Sequence, residues 1–167
     1  MIRPLKPEPL LAVLAAHEVA FIVVGGYAVA AHGHVRATKD IDICPDPGEA
    51  NLQNLANALD ELEAQLIGLD EFSGEFDLAP DLDGLKLGSN WTLSTKHGRL
   101  DVLQHIAGLG KDGGGWKELS RHAVTRDFLG YQSLFCSYED LIAMKQGAGR
   151  PQDEIDIKSL KAARGEL

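Results

Sequence analysis

Cysteine is scarce in this chain: 167 residues hold two, Cys44 and Cys136, far apart and outside any C-x-x-C spacing. That excludes a disulfide framework and a structural zinc site, and it leaves both thiols to be read as buried strand residues. Long apolar runs are missing as well. No stretch approaches the roughly 20 residues that span a bilayer, and the N-terminus has no basic segment leading into an apolar run and a small-residue cleavage site. A soluble, cytoplasmic chain with no membrane partner is the expectation. Basic residues are outnumbered, with 16 Lys and Arg against 25 Asp and Glu and a formal net charge of −9. That balance disfavours broad, sequence-independent binding to nucleic acid, which draws on many Lys and Arg contacts to phosphate, although a local RNA contact stays open. There is no G-x-x-x-x-G-K-[ST] loop, so ordinary P-loop chemistry lacks its cradle, and no Ser-His-Asp or Cys-His set stands out.

What is present suffices for one well-filled core. With 44% hydrophobic and 25% charged residues, residues 1–167 are expected to form a single domain. Pro9 to His17 reads as a helix and Phe21 to Val24, wholly apolar, as a buried strand. Gly25-Gly26 then falls where that strand turns into an alanine-rich helix over Tyr27 to His32. Asp40 to Cys44 alternates acidic and apolar residues with period two, and Pro45, Pro47 and Gly48 end it. From Glu49 to Leu66, leucines at 52, 55, 59, 62 and 66 mark a long amphipathic helix. Gly68 to Asn90 is acidic and turn-rich, a candidate mobile flap. Two hairpins follow, Trp91 to Thr95 with Arg99 to Gln104, and Val124 to Phe128 with Tyr131 to Cys136. Between them Gly108 to Gly115, with five glycines in eight residues, reads as a loop. Ser137, with Asp140 three residues on, caps a helix over Tyr138 to Gln146, and Pro151 opens a last one to about Ala163. The fold class is α/β (α+β): a short mixed β-sheet flanked by helices.

The chemistry lies in a combination. Gly25-Gly26 is followed, after thirteen residues, by Asp40-Ile41-Asp42-Ile43. Glycines let backbone approach phosphate, and a following helix offers unpaired N–H groups to an anion. Side chains at i and i+2 of a strand share a face, so Asp40 and Asp42 can bind the same hard cations through oxygen, magnesium above all. A lone Gly-Gly is usually just a turn, and a lone Asp-x-Asp could be a solvated edge. Together, and with Arg99-Leu100-Asp101-Val102-Leu103 supplying a carboxylate on a later strand, they resemble the DNA polymerase β-like nucleotidyltransferases, whose motif is G-[GS]-x(9–13)-D-h-[DE]-h plus a third acid.

The wider string Val23-Val24-Gly25-Gly26-Tyr27-Ala28 through His32-Gly33, Arg36, Thr38 and Asp40-Ile41-Asp42 resembles the AbiEii-type toxin family and its stand-alone relatives. So does Ala143-Met144-Lys145 with Gly149-Arg150-Pro151-Gln152-Asp153 and Asp156. The resemblance implies metal binding and catalysis by Asp40, Asp42 and Asp101, two Mg2+ ions or Mn2+ in their place, and nucleotide binding by Gly25, Gly26, Arg36, Thr38, Lys145 and Arg150. It implies transfer of a nucleoside monophosphate from an NTP to an acceptor hydroxyl, with pyrophosphate leaving. The acceptor could be RNA (a tRNA 3′ end in toxin–antitoxin systems), a protein or a small molecule, and a cognate antitoxin or a second copy could complete the site. The rival readings are a non-catalytic nucleotide- or partner-binding module and an antitoxin-like enzyme that modifies a partner protein. Taken alone, Lys145 and Arg150 would be surface charges, the His32/His34 pair a weak metal motif, and Trp91 a core residue.

Overall fold

The computed structural model describes residues 3–67, the backbone of 75–76, and 79–167. In chain order the elements are α1 (Pro7–Ala16), β1 (Phe21–Val24), α2 (Gly25–Ala31), β2 (Asp40–Pro45), α3 (Glu49–Glu61), β3 (Gln65–Ile67), β4 (Glu75–Phe76) and α4 (Leu82–Lys86). They continue as β5 (Trp91–Thr95), β6 (Gly98–Val102), α5 (Trp116–Leu119), β7 (Val124–Phe128), β8 (Tyr131–Phe135), α6 (Tyr138–Ala148) and α7 (Pro151–Ala163). The strands form one mixed sheet in the order β4-β3-β5-β6-β2-β1-β8-β7. Both expected hairpins are present, β5 with β6 and β7 with β8, each antiparallel. The centre is mixed: β1 runs antiparallel to β2 and parallel to β8, while β2 runs parallel to β6.

The period-two patterning of β2 gives the sheet two chemically different faces. Ile41 and Ile43 are fully buried, as are Leu100 and Val102 of β6 and Leu93 of β5. They share one core with Leu10, Leu11 and Leu14 of α1 and Leu52, Leu55 and Leu59 of α3, each leucine worth about 1.5–3 kcal/mol in burial. The intervening residues, Asp40 and Asp42 on β2 and Arg99 and Asp101 on β6, project to the other face. Cys44 and Cys136 are free and buried, which pushes both thiols up to about 12.

The expected long helix stops early. α3 ends at Glu61, Leu62 caps it, and Glu63 takes a left-handed backbone (φ 53°) before β3 begins. Leucine periodicity misleads here because Leu62 is buried at the cap and Leu66 is a strand residue paired with Leu93, so a helical spacing continues across a turn. Within the stretch expected to be a flap, α4 is a short helix capped by the Asp81 carboxylate, which accepts from the Gly84 N–H at 2.8 Å. Residues 68–74 and 77–78 of that stretch lie outside the described residues. The Gly108 to Gly115 loop is tied by a bridge between Ile106 and Gly114 and runs into α5, which the sequence pattern does not announce. Among the described residues, no helix is long and apolar enough to cross a membrane.

Candidate active site

Parallel pairing of β2 with β6 sets Asp42 opposite Asp101 and Asp40 opposite Arg99. Two side chains from each strand therefore stand in a two-by-two array on one face, with Thr92 and Ser94 of β5 next in register beyond Asp101 and Arg99. One oxygen from each of Asp40, Asp42 and Asp101 lies within 4.8 Å of the others. Asp101 Oδ1 is buried and has no hydrogen-bond partner. A buried carboxylate oxygen without a hydrogen bond, in an all-oxygen donor set, fits a hard divalent cation such as magnesium.

Electrostatics inside the cluster follow from crowding. Burial, then the charges of Asp40 and Asp101, push the Asp42 carboxyl well above the usual carboxylate range, with Lys145 opposing. Burial and Asp40 also raise Asp101, against the pull of Arg99. Asp42 therefore holds a proton more tightly than an ordinary carboxyl, with Asp101 as its hydrogen-bond partner.

Gly25 is what lets Asp42 sit there. Its φ of 70° is left-handed, and a Cβ at this position would overlap the Asp42 carboxylate. At Gly26 a Cβ would lie 2.8 Å from Thr38 Oγ1. The glycine pair, read from sequence as room for phosphate, makes room in this structure for the site's own side chains. Gly25→Ala is thus expected to displace Asp42 and to destabilise the protein by about 1–2 kcal/mol, read as a lower urea midpoint at unchanged m-value.

The cationic wall comes from the junction of α6 and α7. Gly149, in a left-handed conformation, ends α6, and Pro151 opens α7 with Arg150 at its N-cap. Lys145, only 7% exposed, reaches Asp156 at 2.9 Å and Asp153 at 3.2 Å. Arg36 grips Asp156 through Nε (2.9 Å) and Nη2 (3.0 Å), and Gln152 donates to the same carboxylate at 2.9 Å. Arg150 holds Asp153 in the same bidentate way, through Nε at 2.8 Å and Nη2 at 3.2 Å. Burial would raise Asp156, but the hydrogen bonds from Arg36, Lys145 and Gln152 prevail and hold it down to about 2. Asp153 is lowered likewise, burial being outweighed by Arg150 and Lys145. Three cations against two carboxylates leave this wall net positive, facing the acidic cluster.

All nine residues singled out from the sequence, Gly25, Gly26, Arg36, Thr38, Asp40, Asp42, Asp101, Lys145 and Arg150, line one cleft of about 230 Å3. Larger clefts of about 810 and 870 Å3 lie elsewhere and contain none of the three clustered aspartates. Arg36 and Lys145 reach the cleft only while bound to α7 carboxylates, a restraint the sequence reading lacks. Asp153 and Asp156 are the residues it missed as participants. Their signal was two acids three residues apart in the first two turns of a helix that Arg150-Pro151 opens. His32 is occupied otherwise than as a metal ligand, since its Nε2 lies 2.7 Å from the Cys136 carbonyl. Among the described residues the aspartate trio is the one metal-type cluster. Trp91 is partly buried against the core.

No protein-family model matches this chain, and no curated protein matches it in sequence. Solved structures do match in shape. The lincomycin-bound lincosamide antibiotic adenylyltransferase LnuA superposes with a TM-score of 0.62 at 17% identity, covering 96% of this chain and 99% of that one. The enzyme ANT(2")-Ia in complex with adenylyl-2"-tobramycin gives 0.57 at 15% identity, covering 93% and 85%. An antigenic nucleotidyltransferase-like protein from Paracoccidioides brasiliensis gives 0.52 at 14% identity, covering 96% and 78%. These three structures do not single out the AbiEii-type toxins, and the fold this chain adopts is that of nucleotidyltransferases.

Proposed function

We propose that this chain is a metal-dependent nucleotidyltransferase that moves an NMP from an NTP to an acceptor hydroxyl. The observation that carries the reading is the trio of carboxylates within 4.8 Å of one another, one oxygen of which is buried without a hydrogen bond, sharing a cleft with a wall of cations. Asp40, Asp42 and Asp101 would hold two Mg2+ ions, or Mn2+. When bound, such ions supply neutralisation of triphosphate charge and a lowered pKa for the acceptor hydroxyl.

The chain's own residues account for the rest. Lys145 and Arg150, fixed by Asp153 and Asp156, orient the triphosphate, and Arg36 reinforces that grip from the Asp156 side. The acceptor oxygen forms a bond to the α-phosphorus while the bond from that phosphorus to the bridging oxygen of pyrophosphate breaks. The proton of the hydroxyl passes to Asp101, the carboxylate that β6 sets opposite Asp42 at the edge of the cluster. Residues 1–167 act as one domain in this reading.

The acceptor proposed is a hydroxyl-bearing small molecule. Two neighbours covered over most of their length are antibiotic-modifying enzymes, and the net charge of −9 argues against a long RNA contact. The test is incubation with each α-labelled NTP and Mg2+, in separate arms with hydroxylated antibiotics, total RNA and protein extract. Label in the small-molecule arm supports the proposal. Label confined to RNA would restore a tRNA 3′ end and a toxin paired with an antitoxin; label confined to protein would point to a modified partner. Nucleotide binding without pyrophosphate release in any arm would leave a non-catalytic module.

A further inference from the structure

Arg99 has no place in the mechanism above, and its bonding differs from that of the two arginines that line the cleft. Arg36 and Arg150 each hold a carboxylate through two hydrogen bonds of 2.8–3.2 Å. Arg99 instead places Nη2 3.9 Å from Asp40 Oδ2 and 3.9 Å from Asp101 Oδ1. Both distances are too long for charge-assisted hydrogen bonds, which close at about 2.7–2.9 Å. Its Nε is buried without a hydrogen-bond partner, as is Asp101 Oδ1, the atom that its Nη2 approaches. Among the described residues, the guanidinium is therefore drawn to the cluster by charge, with no hydrogen bond to hold it. Its side chain is 33% exposed, so it can leave outward without moving the sheet.

From these contacts we infer that Arg99 is a resident counter-ion of the carboxylate cluster, one that an arriving divalent cation displaces. A cation on the chain itself keeps Asp40 and Asp101 near each other when no metal is bound, since parallel register places Arg99 beside Asp40 and two residues before Asp101 on the same face. The same charge opposes a metal competing for those oxygens, so Arg99 lowers metal affinity from what three bare carboxylates would give. The inference rests on the metal-site reading of the trio given above.

Two measurements on the full chain without nucleotide test it: calorimetric titration with Mg2+ and with Mn2+, and thermal unfolding with chelator or with saturating Mg2+. Arg99→Gln is expected to bind metal about tenfold tighter than wild type. It should melt lower in chelator and close that gap when saturated with Mg2+. Arg99→Lys, which keeps the charge, is expected to stay near wild type in both measurements. Lys39→Gln removes an equal charge from an exposed position on the same cleft and should shift affinity far less. Unchanged or weaker metal binding by Arg99→Gln overturns the inference alone, as does equal tightening by Lys39→Gln, which would indicate long-range charge only. Absence of metal binding by wild type removes the metal site itself and the inference with it. Arg99→Met carries the same test if Arg99→Gln does not fold.

Discussion

Asp42→Asn is expected to lose label transfer by about a thousandfold or more, equivalent to roughly 4 kcal/mol in the barrier, while the metal-free protein becomes more stable. The two effects share a cause. Asp42 is pushed up by burial and by two neighbouring carboxylates, so the folded state holds its proton more tightly than the unfolded chain does. Stability is then fully present below about pH 4 and declines as pH rises through the higher folded-state value. An amide in the same place carries no charge to bury and can donate to Asp101 at any pH. At pH 7.5 in chelator the variant should melt on the order of 3 °C above wild type, and the gap should shrink towards pH 4. Mg2+ should raise the melting temperature of wild type and barely move the variant. Full transfer activity in Asp42→Asn would remove the metal cluster from the mechanism.

Asp156→Ala is expected to have the largest effect on stability. This fully buried carboxylate accepts from Arg36 twice, from Lys145 and from Gln152. Its loss leaves a buried lysine with one remaining partner, Asp153 at 3.2 Å. Breaking such an arrangement costs about 3–5 kcal/mol, a fall of roughly 10 °C in melting temperature at this chain length. Lys145 should also lose its aim, so that transfer falls at least a hundredfold even well below the melting point. Since Asp156 sits at about 2 when folded, its contribution of about 2 kcal/mol is complete above about pH 4 and lost as pH falls towards 2. Urea titrations of wild type at pH 2.5, 4 and 7 should follow that course, and those of the variant should be flatter.

Much of the site was readable because its rules are local. Alternation over Asp40 to Ile43 assigns the two acids to one face from four residues, and the Gly149-Arg150-Pro151 junction carries its own stop and start signals. The partnership of Asp101 with Asp42 is different in kind, because a hairpin signal at residues 91–102 says that β6 exists but not which strand lies on its far side. Only the parallel β2–β6 pairing places them together. The part played by Asp153 and Asp156 was hidden for a similar reason. Asp153, in the first turn of α7, would ordinarily be explained by the helix dipole, and the burial of Asp156 against Arg36 arises from packing between segments 120 residues apart. Where the reading erred, at the end of α3, the error came from a leucine spacing that is helical by coincidence across a turn.

The β2–β6 pairing also governs when the site comes into being. Asp42 and Asp101 are 59 positions apart, and a parallel pair of strands forms only after the intervening chain has crossed over. Such non-local closure is a late and slow event in folding, because the loop entropy is spent before the contacts repay it. Divalent cations therefore find no assembled trio in the early chain, and saturating Mg2+ should leave the refolding rate nearly unchanged while slowing unfolding. On the proposed metal site, a bound cation would then act as a kinetic latch on the finished sheet.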